Sequence, residues 1–447
     1  MPTRFRTATL LSSGLRRVAL LLVGGILTAA GALAATPNVV LIIADDQAWT
    51  DYGFMGHPAI DTPRLDRLSE QSLTYTRGYV PTSLCAPSLA SIITGLYPHE
   101  HGYVGNDPAR TPGAPRGPGA SDPGRDERRA RLIAKADDWP TLPRRLAERG
   151  YLSLQTGKWW LGSYKRGGFT HGMTRGFPEP GGRHGDDGLR IGREGLDPIP
   201  AFLDEAKQAG RPFFLWYAPF LPHTPHNPPE RLLAKYRDKV DSPSVAKYWA
   251  MCEWFDETCG ELLDLLNERG VADDTIVVYA CDNGWVNRRD RSAYAPRSKR
   301  SPYDGGLRTP VMVRWPDHVE PRRDETTLVS TIDIAPTVLA ACGLAPGEEL
   351  QGVSLLERER LIERDQAFGA IYEHDIVDLD RPAASLKHRW TVHGPWKLVL
   401  PYQQRLPDAA AELYHVAEDP HERREVAESH PEVVAELTDE LDAWWTP

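Results

Sequence analysis

Four short apolar runs, at residues 39–44, 213–217, 275–280 and 310–314, read as strands with no polar face. Such strands must be covered on both sides, because either face left in water would expose branched aliphatic or aromatic side chains. Covering segments lie close by, with helical patterns at 62–72, 141–150, 198–209, 245–269 and 332–341. Apolar strands interleaved with helices predict an α/β fold, a large mainly parallel sheet sandwiched by helices. Sheets of this kind bind ligands beyond the carboxyl ends of their strands, so the residues just after each run are where chemistry is expected.

The chain has 447 residues, 41% of them hydrophobic, enough to bury one large core with a smaller unit beside it. The pattern changes near residue 350, which predicts a main unit at 36–350 and a small C-terminal α+β subdomain at 351–447. In the latter, residues 390–400 read as an antiparallel hairpin, Glu412-Leu-Tyr-His-Val precedes a polar turn, and 431–445 is an amphipathic helix. Two stretches lack periodicity. Residues 106–138, rich in Pro, Gly and Arg, and 163–195, rich in Gly, His and charge, are expected to be long surface loops.

The first 34 residues have the layout of a cleaved signal peptide. Arg4, Arg6, Arg16 and Arg17 precede or flank an apolar run at 18–30, and Ala32-Leu33-Ala34 suits a signal peptidase. A periplasmic or secreted protein is expected, with no stable membrane insertion after cleavage. Removal takes away four arginines and no acids, moving the formal charge from −10 to −14. A chain so acidic is not expected to bind nucleic acid or anionic lipid through its overall field, so an anionic substrate needs a local positive site. Five cysteines at irregular spacing give no disulfide framework. Cys252 and Cys259 read as buried thiols, and Cys281 and Cys342 as core residues.

Strand 39–44 delivers Asp45-Asp46 into a loop, and strand 275–280 delivers Asp282-Asn283 in the same way. Carboxylates and an amide at strand ends suit a hard divalent cation bound through oxygen, and with no histidine beside either pair zinc is not expected. Each pair alone is also what an ordinary turn after a strand contains. Cys85 lies in Pro81-Thr-Ser-Leu-Cys-Ala-Pro-Ser-Leu-Ala-Ser-Ile-Ile-Thr-Gly95, expected just outside a helix whose first turn begins at Pro87 and which Gly95 ends. The free N–H groups there favour an anion.

This run resembles the sulfatase signature Cys-x-Pro-Ser-Arg, in which the cysteine is oxidised to formylglycine. The likeness extends along the chain through Asn38 to Asp46, Thr62 to Leu68, Thr94 to Gly102, Thr156-Gly-Lys-Trp-Trp-Leu-Gly162, Pro222-His-Thr-Pro225 and Lys299 to Pro310. It implies an alkaline-phosphatase-like fold and a calcium ion (magnesium or manganese as substitutes) held by Asp45, Asp46, Asp282, Asn283 and the modified Cys85. It also implies a formylglycine-generating maturase as partner, and sulfate esters, most often of sulfated carbohydrates, as substrates. By the same resemblance a hydrated formylglycine hydroxyl attacks sulfur, with Asp282 the candidate base. Lys158 and Lys299 offset charge on the sulfate, and His223, with Lys299, protonates the leaving alcohol. Read alone, Lys299 could equally belong to a solvated basic loop, and His223, like His226, could equally cap a helix or pack against Pro225.

Two positions depart from the family pattern. Leu89 stands where the signature has arginine, and leucine presents no guanidinium. Trp160 stands where the family has a histidine base, and indole accepts no proton. His171, His184 and His226 are the candidates to compensate. Trp49, Trp159, Trp160 and Trp285 are expected near the site as sugar-stacking or core aromatics. A phosphate or phosphonate ester hydrolase of the same superfamily, and a non-catalytic carbohydrate-binding protein, remain as alternatives to a sulfatase.

Overall fold

The computed structural model describes residues 36–115, 117 and 120–447, and these form one compact unit. The expected signal peptide lies outside them. No helix among the described residues is long and apolar enough to cross a membrane.

In chain order the strands are β1 (Asn38–Ala44), β2 (Leu73–Tyr79), β3 (Asp107–Pro108), β4 (Leu152–Gly157), β5 (His171–Gly172), β6 (Phe213–Ala218) and β7 (Thr275–Cys281). They continue with β8 (Arg308–Arg314), β9 (Arg322–Ser330), β10 (Gln366–Tyr372), β11 (Asp375–Ile376), β12 (Leu386–His393), β13 (Trp396–Pro401) and β14 (Glu412–His415). Eight of them form the main sheet in the order β5-β4-β6-β1-β7-β8-β2-β9. Only β8 runs against its neighbours. The sheet is therefore mainly parallel, as expected from strands buried on both faces. β1 sits at its centre between β6 and β7, and every residue of β6 and β7 is buried.

One apolar cluster covers one face of β1 with Val39, Leu41 and Ile43, and a second covers the other with Val40 and Ile42. The first includes the helix Cys85–Thr94 and the second the long helix Pro243–Glu268. All five cysteines are buried free thiols. Cys252 and Cys259 both lie in that long helix, as expected of core thiols.

The C-terminal part forms an antiparallel sheet, β10-β12-β13-β14, with β12 and β13 making the expected hairpin across Gly394. The helix Pro431–Trp444 packs Leu437 and Leu441 on it against Leu398 and Leu413. Residues 106–138 depart from the expected loop by containing the helix Pro123–Ala134, capped by the Asp122 side chain on the Arg125 N–H. The charges that hide its periodicity are partnered: Arg129 pairs with Asp107 at 2.7 Å and Arg131 with Asp380 at 3.1 Å. Residues 163–195 are irregular as expected, apart from short turns of helix and the two residues of β5.

Candidate active site

β4, β6, β1 and β7 are neighbours in the sheet, and their carboxyl ends supply Lys158, His223, Asp45 with Asp46, and Asp282 with Asn283. Cys85 enters from the segment after β2, and Lys299 from the connection between β7 and β8. Gly157 makes one of these placements possible. Its φ is +78°, and a Cβ there would stand 1.9 Å from the Ala218 carbonyl oxygen. Glycine lets the strands close up so that the Lys158 N–H donates to that oxygen at 2.7 Å. Asp46 is held at φ +66°, a left-handed conformation costing a non-glycine residue about 1–3 kcal/mol. Its N–H donates to Asp282 Oδ1 at 3.1 Å, which helps to hold it there.

Cys85 is itself the first residue of its helix, two positions earlier than the proline signal suggests. Asn106 Oδ1 accepts the Ala86 N–H at 3.0 Å, and Gly95 ends the helix at φ +78°. Leu89, one turn on, is buried in the apolar cluster.

Around Cys85 the polar groups are packed tightly. Lys158 Nζ lies 2.5 Å from Asp45 Oδ1 and 3.3 Å from Asp282 Oδ2. Lys299 Nζ lies 2.5 Å from Asp46 Oδ1 and 2.9 Å from the Cys85 sulfur. Asn283 Nδ2 donates to Asp46 Oδ1 at 2.6 Å, and His223 Nε2 stands 3.4 Å from Asp46 Oδ2. A histidine thus does accompany the carboxylates; it comes from the end of β6, too far along the chain for spacing to show.

Burial pushes Asp45 up to about 6 and Asp282 up to about 7, although Lys158 opposes it at both. At Asp46 burial is outweighed by Lys299, His223 and Lys158, so this carboxyl stays well below its usual range. Burial raises the Cys85 thiol to about 12 and lowers His223 to about 3, leaving both neutral at physiological pH.

Three buried carboxylates, those of Asp45, Asp46 and Asp282, face two buried lysines. Asp45 Oδ2, Asp46 Oδ2 and Asn283 Oδ1 are buried with no hydrogen-bond partner. Unpartnered buried oxygens are rare and costly, and here they sit in a cluster with surplus negative charge. Asp45, Asp46, Cys85 and His223 offer ligand atoms that all lie within 4.8 Å of one another. The carboxylate and amide oxygens present fit a divalent cation.

A cavity of about 360 Å³ opens over Cys85, lined among others by Asn106, Trp160, Arg183, His223, Trp285 and Lys299. His184 and His374 also face it. Of the three candidate histidines only His184 is there, its ring edge-on to Trp160 at 5.3 Å and its Nδ1 buried without a partner. His171 is at the sheet edge, 3.4 Å from Glu205, and His226 packs on Tyr248 and Trp285. Trp159 is core, edge-on to Phe169 and Trp216, and Trp49 lies under Arg308.

Arg183, which sequence reasoning missed, has its guanidinium 4.7 Å from the Trp160 ring centroid and bonded to Asp107 through Nε at 2.8 Å and through Nη2. Asp107 also holds Arg129 and, at 3.6 Å, Arg125. One carboxylate facing three guanidiniums, with Asp375 taking a share of Arg125, leaves positive charge at the cavity wall. Nothing in the spacing of residues 163–195 marks Arg183, whose partner Asp107 is 76 positions away.

Residues 37–344 match the Sulfatase family, and residues 295–445 match the C-terminal region of N-sulphoglucosamine sulphohydrolase. Human N-acetylgalactosamine-6-sulfatase is 27% identical over 405 residues, spanning 81% of this chain and 73% of that protein. Bovine arylsulfatase A is 30% identical over 375 residues, spanning 74% and 69%. The crystal structure of Ps i-CgsB shares the fold with a TM-score of 0.71 at 23% identity, covering 92% of each chain. A structure described in complex with its substrate D-glucosamine-2-N,6-O-disulfate gives 0.69 at 20%, covering 91% and 97%. The phosphonate monoester hydrolase of Agrobacterium radiobacter gives 0.65 at 19%, covering 91% and 95%. With more than half its length matched to the family and the fold shared, the chain belongs to the sulfatases, the sulfuric ester hydrolases of the alkaline phosphatase superfamily.

Proposed function

We propose that this protein hydrolyses sulfate esters of carbohydrates using a formylglycine made from Cys85 and a divalent cation, calcium by preference. The observation that carries the reading is the trio of unpartnered buried oxygens on Asp45, Asp46 and Asn283, beside a cysteine at the head of a helix. Asp45, Asp46, Asp282 and Asn283 would hold the cation, with the modified residue 85 beside them. The cation would supply positive charge against the sulfate, and the hydrated aldehyde a hydroxyl nucleophile. The sugar as substrate is inferred from the relatives' names and from the disulfated glucosamine bound by a protein of the same fold.

The chain's own residues then divide the remaining work. Lys158 and Lys299, both buried and both held charged by the neighbouring carboxylates, bind the sulfate oxygens. His223 Nδ1 pairs with the Thr224 carbonyl, which carries the ring proton on that side and turns Nε2 to the site. With Nε2 unprotonated in this state, Lys299 is the donor of the proton that the departing alcohol needs, and His223 can give one only after Nε2 has itself taken a proton. His184 stands beside Trp160 as the base for the release step. Arg183, brought to the cavity on the Trp160 ring, supplies the guanidinium that Leu89 lacks. A maturase acting on Cys85, export directed by residues 1–34, and a division into 36–350 and 351–447 belong to the same reading.

The deciding experiment is the mass of the Cys85 peptide from active native protein. Sulfur lost and oxygen gained is the expected result; an unmodified thiol in active material overturns the mechanism. Turnover of matched sulfate and phosphate monoesters separates the sulfatase reading from the phosphoesterase one.

A further inference from the structure

A second hollow, of about 620 Å³, adjoins the Cys85 cavity and shares Ala293, Tyr294, Lys299 and Arg300 with it. Its other charged walls are Arg288, Arg291, Arg297 and Lys387, and no acidic side chain lines it. Not all of these cations are free. Lys299 is committed to Asp46, Arg288 to Asp290 at 2.8 Å, and Arg297 lies 3.6 Å over the Tyr303 ring with Nη2 on the Glu422 carbonyl. Arg291, Arg300 and Lys387, however, have no carboxylate within 4.0 Å among the described residues. Arg300 is oriented by the Tyr294 hydroxyl at 3.1 Å. Such a concentration of positive charge is against the trend of a chain whose net charge is −10. Like charges gathered without counter-ions repel, and a bound anion relieves that repulsion.

We propose that this hollow is a second anion subsite, taking an oxyanion on the neighbouring unit of a polyanionic sugar chain while the sulfate to be cleaved occupies the Cys85 cavity. The proposal rests on the sulfatase reading for what fills the first cavity, and on its own charge distribution for the second. It makes the preferred substrate an oligosaccharide carrying several anionic groups, sulfate or carboxylate. A small aryl sulfate fills the Cys85 cavity only. The shared wall at Lys299 and Arg300 makes the two sites continuous, so one chain can enter both.

The test is calorimetric binding by full-length mature protein, wild type and the Arg291→Ala/Lys387→Ala double variant, at low and high salt. One probe is a dextran-sulfate oligosaccharide, carrying sulfate alone, and the other an oligogalacturonate, carrying carboxylate alone. Loss of two unpaired surface cations is expected to weaken the favoured probe about tenfold at low salt, less as salt screens the contact. Turnover of p-nitrophenyl sulfate and the thermal midpoint are expected to stay at wild-type values, since neither residue lines the Cys85 cavity. Absence of p-nitrophenyl sulfate turnover in wild type would count against the sulfatase reading and leave the binding result to judge the hollow. Equal affinity of wild type and variant for both probes, or tighter binding of a single-stranded DNA oligonucleotide than of either sugar, overturns the proposal.

Discussion

Arg183→Ala is the sharpest test of how the site manages without an arginine at position 89. The substitution leaves Asp107 with Arg129 at 2.7 Å and Arg125 at 3.6 Å, so no buried carboxylate is stranded. What is lost structurally is one partly exposed ion pair and one cation–π contact with Trp160, together about 1 kcal/mol. The functional loss is of another size. A preorganised donor facing the charge that develops on a transferring group is worth about a hundredfold in rate. The expected result is a kcat/KM for an aryl sulfate about a hundredfold below wild type in a protein that melts only a few degrees lower. Arg183→Lys restores charge without the planar fork and is expected to recover only part of the activity. Arg125→Ala touches the same carboxylate without lining the cavity and is the control, expected to stay near wild type. The mass of the Cys85 peptide, measured in each variant, separates a defect in maturation from one in catalysis. Wild-type activity in Arg183→Ala with Cys85 fully converted refutes the reasoning.

If the unpartnered oxygens of Asp45, Asp46 and Asn283 hold a cation, chelation lowers the thermal midpoint and calcium restores it. At a hundred times its dissociation constant the ion adds about 2.7 kcal/mol; a midpoint indifferent to calcium, magnesium and manganese sinks the assignment. Lys397 is wholly buried, 2.6 Å from both Asp304 and Glu422, where it ties the C-terminal sheet to the segment after Lys299. Lys397→Met leaves Glu422 without an ion pair and Asp304 with only Arg308 at 3.9 Å, and should cost about 3–5 kcal/mol in denaturant unfolding. Asp256 accepts the N–H groups of Arg64 and Leu65, yet burial raises its pKa from 3.8 to about 7. The native state therefore keeps a proton that the unfolded chain releases near pH 4, so this group's contribution to stability falls as pH rises from about 4 to about 7. Asp256→Asn is expected to flatten that slope in pH-dependent melting; an unchanged slope counts against it.

What the sequence shows of the fold follows from where polar groups are paired. β1, β6 and β7 are legible because their side chains are almost all apolar. β4 is not, although every residue of it is buried. Its Gln155 donates to the Gly157 carbonyl and accepts the Thr174 N–H, and its Thr156 donates to the Trp216 carbonyl. Polar residues satisfied in this way inside the sheet have the composition of a loop. β9 opens with Arg322-Arg323-Asp324-Glu325 and reads as surface for the same reason, since its first half is largely exposed and only the second half enters the core. The helix Pro123–Ala134 was signalled by Asp122-Pro123, a capping residue followed by a first-turn proline, but its arginines masked the apolar stripe. At the site, Cys85, the aspartates, Asn283, Lys158, His223 and Lys299 all come together as expected. Each follows a strand or belongs to a recognisable motif. Arg183 and Asn106 do neither, and His374, although it follows β10, belongs to the C-terminal sheet; only the folded chain brings them to the cavity.

On the role proposed for Arg183, the two departures from the family pattern are linked. Leu89 is on the helix behind Cys85, and there its side chain fills the apolar cluster, a setting in which a guanidinium would have to be paired. The guanidinium that lines the cavity is that of Arg183, on the irregular segment after β5 rather than on a helix. Two neighbours hold it: Asp107 from the short strand β3, and the flat face of Trp160 after β4. A histidine at 160 would offer a smaller ring and a second proton-accepting group competing for Arg183. Tryptophan offers area and no acceptor. His184, the residue next to Arg183 and edge-on to the same indole, is the proposed replacement for the base that the family pattern has at position 160. Loss of Trp160 should therefore disable Arg183 and His184 together, which separate substitutions of the two, compared with the Trp160 variant, are able to resolve.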